Sequence, residues 1–210
     1  MATTIHLVDE GIDTGAIVSI KRGVVWIDRP IPRDLMLATN ALYYDALTEF
    51  AANLASGERS IPATPQGEPQ GPYLPRLCTE VNGAIDWSLS LGEIDRFIRG
   101  YSYPYSGAFT FVRNERISIL KAEPEEGECY HSPVRGRVQH ANCDGSIGVS
   151  IGNRCLRVHT IRHGQSEMPA TAMLSPQDVL YTPPLVLEES AGVVKISETS
   201  SRLAHEVPNI

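Results

Sequence analysis

The residues best suited to chemistry crowd one short stretch near the start of the chain: His6-Leu7-Val8-Asp9-Glu10-Gly11-Ile12-Asp13-Thr14-Gly15. Gly11 and Gly15 open backbone conformations closed to other residues and admit close approach by a ligand. Asp13, between them, is a candidate proton acceptor or the orienter of a histidine, and His6 stands just upstream. The plainer alternative is a hairpin turn whose aspartate bonds its own backbone. A calcium loop does not fit, because oxygen ligands are missing at the alternate positions such a loop needs.

A second group runs Gly83-Ala84-Ile85-Asp86-Trp87-Ser88, followed by Arg99-Gly100-Tyr101-Ser102-Tyr103-Pro104-Tyr105-Ser106-Gly107-Ala108. Trp87 is a large apolar anchor with one donor, and Tyr103 and Tyr105 beside Pro104 make a candidate flat wall for a substrate. Packing of a helix onto a sheet would use the same residues. A third group is cationic. Between His131 and Gln165 stand Arg135, Arg137, Arg154, Arg157 and Arg162 against one acid, Asp144, a local charge of +4. Arg135, Arg137 and Arg157 are candidates for holding an anion, set against the alternative of a solvated face balanced by the acidic Ser166–Ile210 tail.

Around these groups the composition is that of an ordinary globular chain: 210 residues, 42% hydrophobic, 20% charged, with formal charge −7. That charge excludes a uniformly basic nucleic-acid binder. No apolar run is long enough to span a bilayer, and the first residues lack the pattern of a secretory signal. Four scattered cysteines, with no short C-x-x-C pair, argue against a metal site and a disulfide framework and for a reducing, cytoplasmic setting. No Ser/His/Asp order, Walker loop or G-x-G-x-x-G is present.

The elements follow from period and punctuation. Residues 3–8 and 16–20 read as strands around the acidic turn. Leu35, Ala38, Leu42, Ala46, Leu47, Phe50 and Leu54 share one helical face, with Gly57 as the stop. Residues 58–75 carry five prolines, which make an extended, semi-stiff connector. Ser90 and Glu93 form a capping box, flanked by the Leu89/Ile94 staple, and open a helix that ends before Pro104. Beyond Gly107 the period falls to two, with strands expected at 108–112, 116–121, 134–138, 147–151 and 156–161. Five short strands predict a small barrel of the oligonucleotide/oligosaccharide-binding (OB) type. One helical turn is expected at 175–180, in a tail (166–210) that is otherwise largely irregular and mobile from 188.

The two blocks "TIHLVDEGIDTGAIV" and "YLPRL…NGAIDWSLSLGEIDRFIRGYSYPYSGAFTF", in that order and separation, resemble the 10-formyltetrahydrofolate-dependent formyltransferases, which include methionyl-tRNA and amino-sugar N-formyltransferases. The resemblance covers residues 3 to about 165. It implies an α+β chain: residues 1–57 as edge strands and helix of a catalytic α/β domain, 58–75 as linker, and 76–165 as a C-terminal OB-like barrel preceded by a capped helix. In the family an Asn, a His and an Asp move the formyl group. The first two stabilise the oxyanion, and the Asp orients the His and helps take the amine's proton. That Asp falls on Asp13, with His6, Gly11 and Gly15 in support. The co-substrate implied is 10-formyltetrahydrofolate, and no metal is implied. The wording "PYSGA" and "NGAIDWS" points to an amino-sugar nucleotide as acceptor, with a charged initiator tRNA as the alternative and a homodimer as a further candidate partner. The Asn-x-His element is expected before Thr3, where only Met1 and Ala2 stand, and no Asn-x-His occurs elsewhere in the 210 residues. The expectation is an N-terminally truncated formyltransferase with little activity alone, set against a non-catalytic tRNA- or anion-binding module and an inert relic.

Overall fold

A β-branched opening makes β1 (Ala2–His6), which pairs antiparallel with β2 (Ile17–Arg22), Thr3 opposite Lys21 and Ile5 opposite Ser19. The register slips between Ile5 and His6, where His6 faces Ile17 and Val18 is skipped. Such a bulge re-aims the side chains beside it. The computed structural model describes residues 1–11, 13–57, 61–67, 77–127 and 132–192. It divides into two compact units, Met1–Tyr73 and Leu74–Ile210.

In the first unit a long helix, α1 (Pro32–Ala55), packs on β1 and β2. Pro32 sits in its first turn, the Ile31 N–H donates to the Asp34 carboxylate at 3.0 Å, and Gly57 follows it at φ +89°. The apolar face is mostly uncovered: among the described residues of this unit only Thr3, Gly15 and Ala46 are buried, and Leu35, Leu47 and Leu54 remain exposed. A two-stranded ribbon is too narrow to cover a helix of 24 residues. The described part of the proline-rich segment is more than a connector, because Thr64 exchanges both backbone hydrogen bonds with Ile17, at 2.7 and 2.8 Å.

The second unit contains α2 (Thr79–Asn82), α3 (Leu91–Gly100), β3 (Ala108–Val112), β4 (Glu115–Pro124), β5 (Val138–Ala141), β6 (Ile147–Ile151), β7 (Arg154–His163), β8 (Ser166–Pro169), a 3₁₀ turn (Ala170–Ala172) and α4 (Pro184–Gly192). The capping box is realised: the Ser90 N–H donates to the Glu93 carboxylate at 2.9 Å and the Glu93 N–H to the Ser90 hydroxyl at 3.4 Å. The strands run β3-β4-β7-β6-β5, with β6 on residues 154–158 of β7 and β8 on residues 160–163.

This is a six-stranded sheet and not the closed barrel the strand count suggested. Its end strands, β3 and β5, do not pair with each other. A strap fills the gap: the Phe111 and Tyr181 backbones exchange hydrogen bonds at 2.8 and 2.9 Å, the Val138 N–H donates to the Asp178 carbonyl, and the Leu180 N–H to the Gly136 carbonyl. The strap occupies residues expected as a helical turn. Three further expectations are corrected. β5 begins at Val138 rather than 134, β8 and α4 give order to a tail read as irregular, and Cys155 is disulfide-bonded whereas Cys78 and Cys143 are free. Residues 193–210 lie outside the described ones.

The core gathers Ile85, Trp87, Ile94 and Ile98 from α3 and its lead-in against Ile117, Ile119, Leu156, Val158 and Ile161 of the sheet, with Leu174 and Leu180 from the strap side. The Trp87 indole donates to the Thr110 hydroxyl at 2.8 Å, and that hydroxyl donates to the Tyr181 carbonyl at 2.9 Å. Thr110→Val keeps the shape and strands a buried indole N–H. It is expected to lower unfolding free energy by about 1–3 kcal/mol in a urea titration.

Candidate functional site

The loop between β1 and β2 is a built structure. Its neck closes where the Leu7 N–H donates to the Ala16 carbonyl at 2.9 Å. At this neck a Cβ on Gly15 would lie 1.7 Å from the Leu7 carbonyl oxygen, so only glycine fits. Asp9 organises the outer turn: its Oδ1 accepts the Thr14 hydroxyl at 2.6 Å and the Gly11 N–H at 3.1 Å. Gly11 is required there, since a Cβ would stand 2.2 Å from Thr14 Oγ1. Those bonds, the Thr14 hydroxyl first, hold the Asp9 carboxyl below the ordinary aspartate range.

Asp13 takes the left-handed conformation, φ +59°. Its Oδ1 stands 3.7 Å from His6 Nε2, while His6 Nδ1 lies 2.9 Å from the Leu7 carbonyl. With Nδ1 donating to that carbonyl, Nε2 faces the Asp13 carboxylate, and the two make an ion pair when the imidazole carries both protons. The loop thus brings His6, Gly11, Asp13 and Gly15 together. The Asp13 side chain stands in solvent, 88% exposed. Ile12 lies outside the described residues.

One residue that sequence reasoning missed holds this loop. Gln66 Nε2 donates to the Asp13 carbonyl at 2.9 Å and to the Gly15 carbonyl at 2.7 Å, reaching back from the proline-rich segment beside the Thr64–Ile17 bridge. Its amide NH₂ supplies one proton to each of the two carbonyls. The composition of the segment gave no signal for it.

In the second unit the arginine candidates part ways. Arg135 donates to the Trp87 and Leu89 carbonyls at 3.2 and 2.7 Å, and Arg157 to Ser146 and Asp144 at 2.9 and 3.2 Å; Arg137 is exposed. Both Tyr103 and Tyr105 are exposed. Tyr105 lines a cavity of about 900 Å³ with Phe97, Tyr101, Pro104, Ser106 and Glu80. Among the described residues no group of three or more His, Cys, Asp or Glu could hold a metal ion, and no helix is long and apolar enough to cross a membrane.

Residues 78–177 match the family model described as formyl transferase, C-terminal domain. The chain carries the C-terminal domain of the formyltransferase family. Methionyl-tRNA formyltransferase of Gluconobacter oxydans is 31% identical over 185 residues, 87% of this chain and 54% of that protein. That of Acidiphilium cryptum is 29% identical, over 81% of this chain and 52% of that protein. The chain thus spans about half the length of these curated relatives. Among solved structures, HypX from Aquifex aeolicus aligns with TM-score 0.63 at 17% identity, over 83% of this chain and 31% of HypX. A HypX structure in complex with tetrahydrofolic acid aligns with TM-score 0.61 at 16% identity, over 82% of this chain and 29% of that one. At such identity the likeness is one of fold. In this chain the matched domain coincides with the capped helix and the six-stranded sheet.

Two outcomes test the loop. Gln66→Ala is expected to raise amide hydrogen exchange at Thr14–Ile17 by an order of magnitude or more, while the exchange of β7 is unchanged. In an acid titration the Gly11 amide resonance should move with a midpoint below that of a free aspartate. The order that Asp9 gives is present above the ordinary aspartate pKa and lost as pH falls through the lowered one. Thr14→Val should bring that midpoint back up.

Proposed function

We propose that this chain serves folate-dependent formyl transfer to the primary amine of an aminoacyl-tRNA, with Asp13 as the carboxylate that takes the proton lost by the attacking amine and His6 as its neighbour. The observation that carries the reading is the Asp13–His6 pair, 3.7 Å apart, on a loop fixed by Gly15 and Gln66 in a chain with this family's C-terminal domain. The 10-formyltetrahydrofolate co-substrate supplies the formyl carbon. As the amine nitrogen bonds to that carbon, it becomes acidic and must lose a proton, which a carboxylate within reach takes; the bond from the formyl carbon to N10 then breaks, and tetrahydrofolate leaves with a proton on that nitrogen. The relatives named above are methionyl-tRNA formyltransferases, which favours a tRNA-borne amine over the amino sugar that the "PYSGA" wording suggested.

The residues described around Asp13 do not by themselves fit a folate, since the carboxylate is exposed. A cavity elsewhere in the first unit, between Val18, Ala46 and Phe50, holds about 190 Å³, below the roughly 300–1,000 Å³ of small-molecule sites. The 210 residues also contain no Asn-x-His, the pair that stabilises the oxyanion in the family the chain resembles. Acid–base help without a preorganised oxyanion site and excluded water is weak catalysis. The 210-residue chain, given 10-formyltetrahydrofolate and methionyl-tRNA, is accordingly expected to release no tetrahydrofolate above background. Joined to the folate-binding half of the Gluconobacter relative, it should turn over. Asp13→Asn in that fusion should then lower kcat by about 10²–10⁴ with the KM for folate little changed. A fusion in which Asp13→Asn keeps full turnover overturns the assignment.

A further inference from the structure

The cavity that Tyr105 lines does not belong to the Asp13 site; it lies wholly within the second unit. At about 900 Å³ it is large enough for a ligand. One side is aromatic: Phe97 and Tyr101 lie with ring centroids 4.9 Å apart, and Tyr105 stands half-exposed across from Pro104. The other side is a carboxylate held in one orientation. Glu80 Oε2 accepts from the Cys78 thiol at 3.2 Å, and Oε1 accepts from the Ser106 hydroxyl at 3.2 Å. Each oxygen keeps a second lone pair, so the pair of oxygens presents two acceptors side by side. Two guanidiniums border the same residues: Arg116 donates to the Glu80 carbonyl at 2.9 Å and lies 3.5 Å from the Phe109 ring centroid, and Arg162 donates to the Ser106 carbonyl at 3.0 Å.

A flat ring, two adjacent donors on its edge and an anionic group nearby together describe one ligand class. We propose that this cavity binds an unpaired guanine nucleotide, the base stacked on the tyrosines, its N1–H and N2–H donating to Glu80, and its phosphate beside Arg116. Aromatic stacking with edge hydrogen bonds is how proteins hold unstacked bases. Guanine alone among the four bases offers two neighbouring donors. Adenine and cytosine set one amino group next to an acceptor, and uracil flanks its N–H with two carbonyls that Glu80 would repel.

The choice of RNA as the source rests on the function proposed above; the base site does not, and its test needs no formyl transfer. With the full 210-residue chain, 5′-GMP and 5′-UMP are titrated while the backbone amide resonances of Cys78, Glu80, Gly100 and Tyr105 are followed. GMP should shift these amides and bind at least about tenfold more tightly than UMP. Glu80→Gln should erase that preference, and Tyr105→Ala should weaken GMP about tenfold; both are surface changes that leave the core intact. Equal binding of GMP and UMP, or GMP shifts confined to other residues, overturns the proposal. A single-stranded hexaribonucleotide with one guanine is the second arm. Tighter, salt-sensitive binding than GMP assigns the site to RNA, and equal binding assigns it to the free nucleotide.

Discussion

A buried indole cannot leave its proton unmet, and in the second unit that demand organises everything around it. Trp87 is 7% exposed, deep among apolar side chains, and its N–H finds the Thr110 hydroxyl on β3. Thr110 passes its own proton to the Tyr181 carbonyl, so the bond reaches the strap that spans the two sheet edges. The same stretch is gripped twice more: Thr182 donates to the Ile85 carbonyl at 2.6 Å, and Arg135 to the Trp87 and Leu89 carbonyls. The lead-in to α3 is therefore fixed from three sides before the helix begins. Because α3 is only ten residues long and capped at Ser90, fixing its start also fixes Phe97 and Tyr101 at its end, and with them the aromatic side of the cavity.

The first unit is held by another kind of force. Little apolar surface is buried there: Val8 is 95% and Trp26 91% exposed, and α1 buries a single alanine. What shapes the Asp13 loop is backbone contact: a glycine at the Leu7–Gly15 crossing and an amide from Gln66 across two carbonyls. Such bonds specify conformation well but contribute only modest net stability each. The loop fixes the backbone around Asp13 and leaves the carboxylate itself in water.

The parts that were readable in the sequence are those set by local rules. The Ser90/Glu93 box, the helix it starts and the period-two strands β3, β6 and β7 depend on neighbours in the chain, and they appear near their expected places. The parts that were hidden depend on residues far apart. β8 (Ser-Glu-Met-Pro) has no alternation of its own and exists because β7 outruns β6 and leaves an edge to be paired. The strap reads locally as a turn and becomes extended because β3 and β5 each offer it an edge. Gln66 is one polar residue in a proline-rich run, and its partners lie 51 and 53 residues away. At the site, the His6–Asp13 pairing was legible because both residues flank one turn, whereas the openness around Asp13 was not.

Charge along the sequence misleads for a similar reason. Five arginines in 35 residues suggest one cationic face, but their surroundings differ. Arg157 meets Asp144, and Arg162 meets Glu167, each pair cancelling most of its own field. Arg135 donates to two neutral carbonyls, those of Trp87 and Leu89. Arg137 stands two residues further on, across Gly136, whose φ of +78° places a Cα where a Cβ would strike the Leu180 carbonyl at 2.0 Å. The glycine brings the strap against this turn and sets Arg135 and Arg137 on either side of it. Arg137 here and Arg154 at the start of β7 are both exposed, so arginines that are neighbours in sequence divide among separate surroundings.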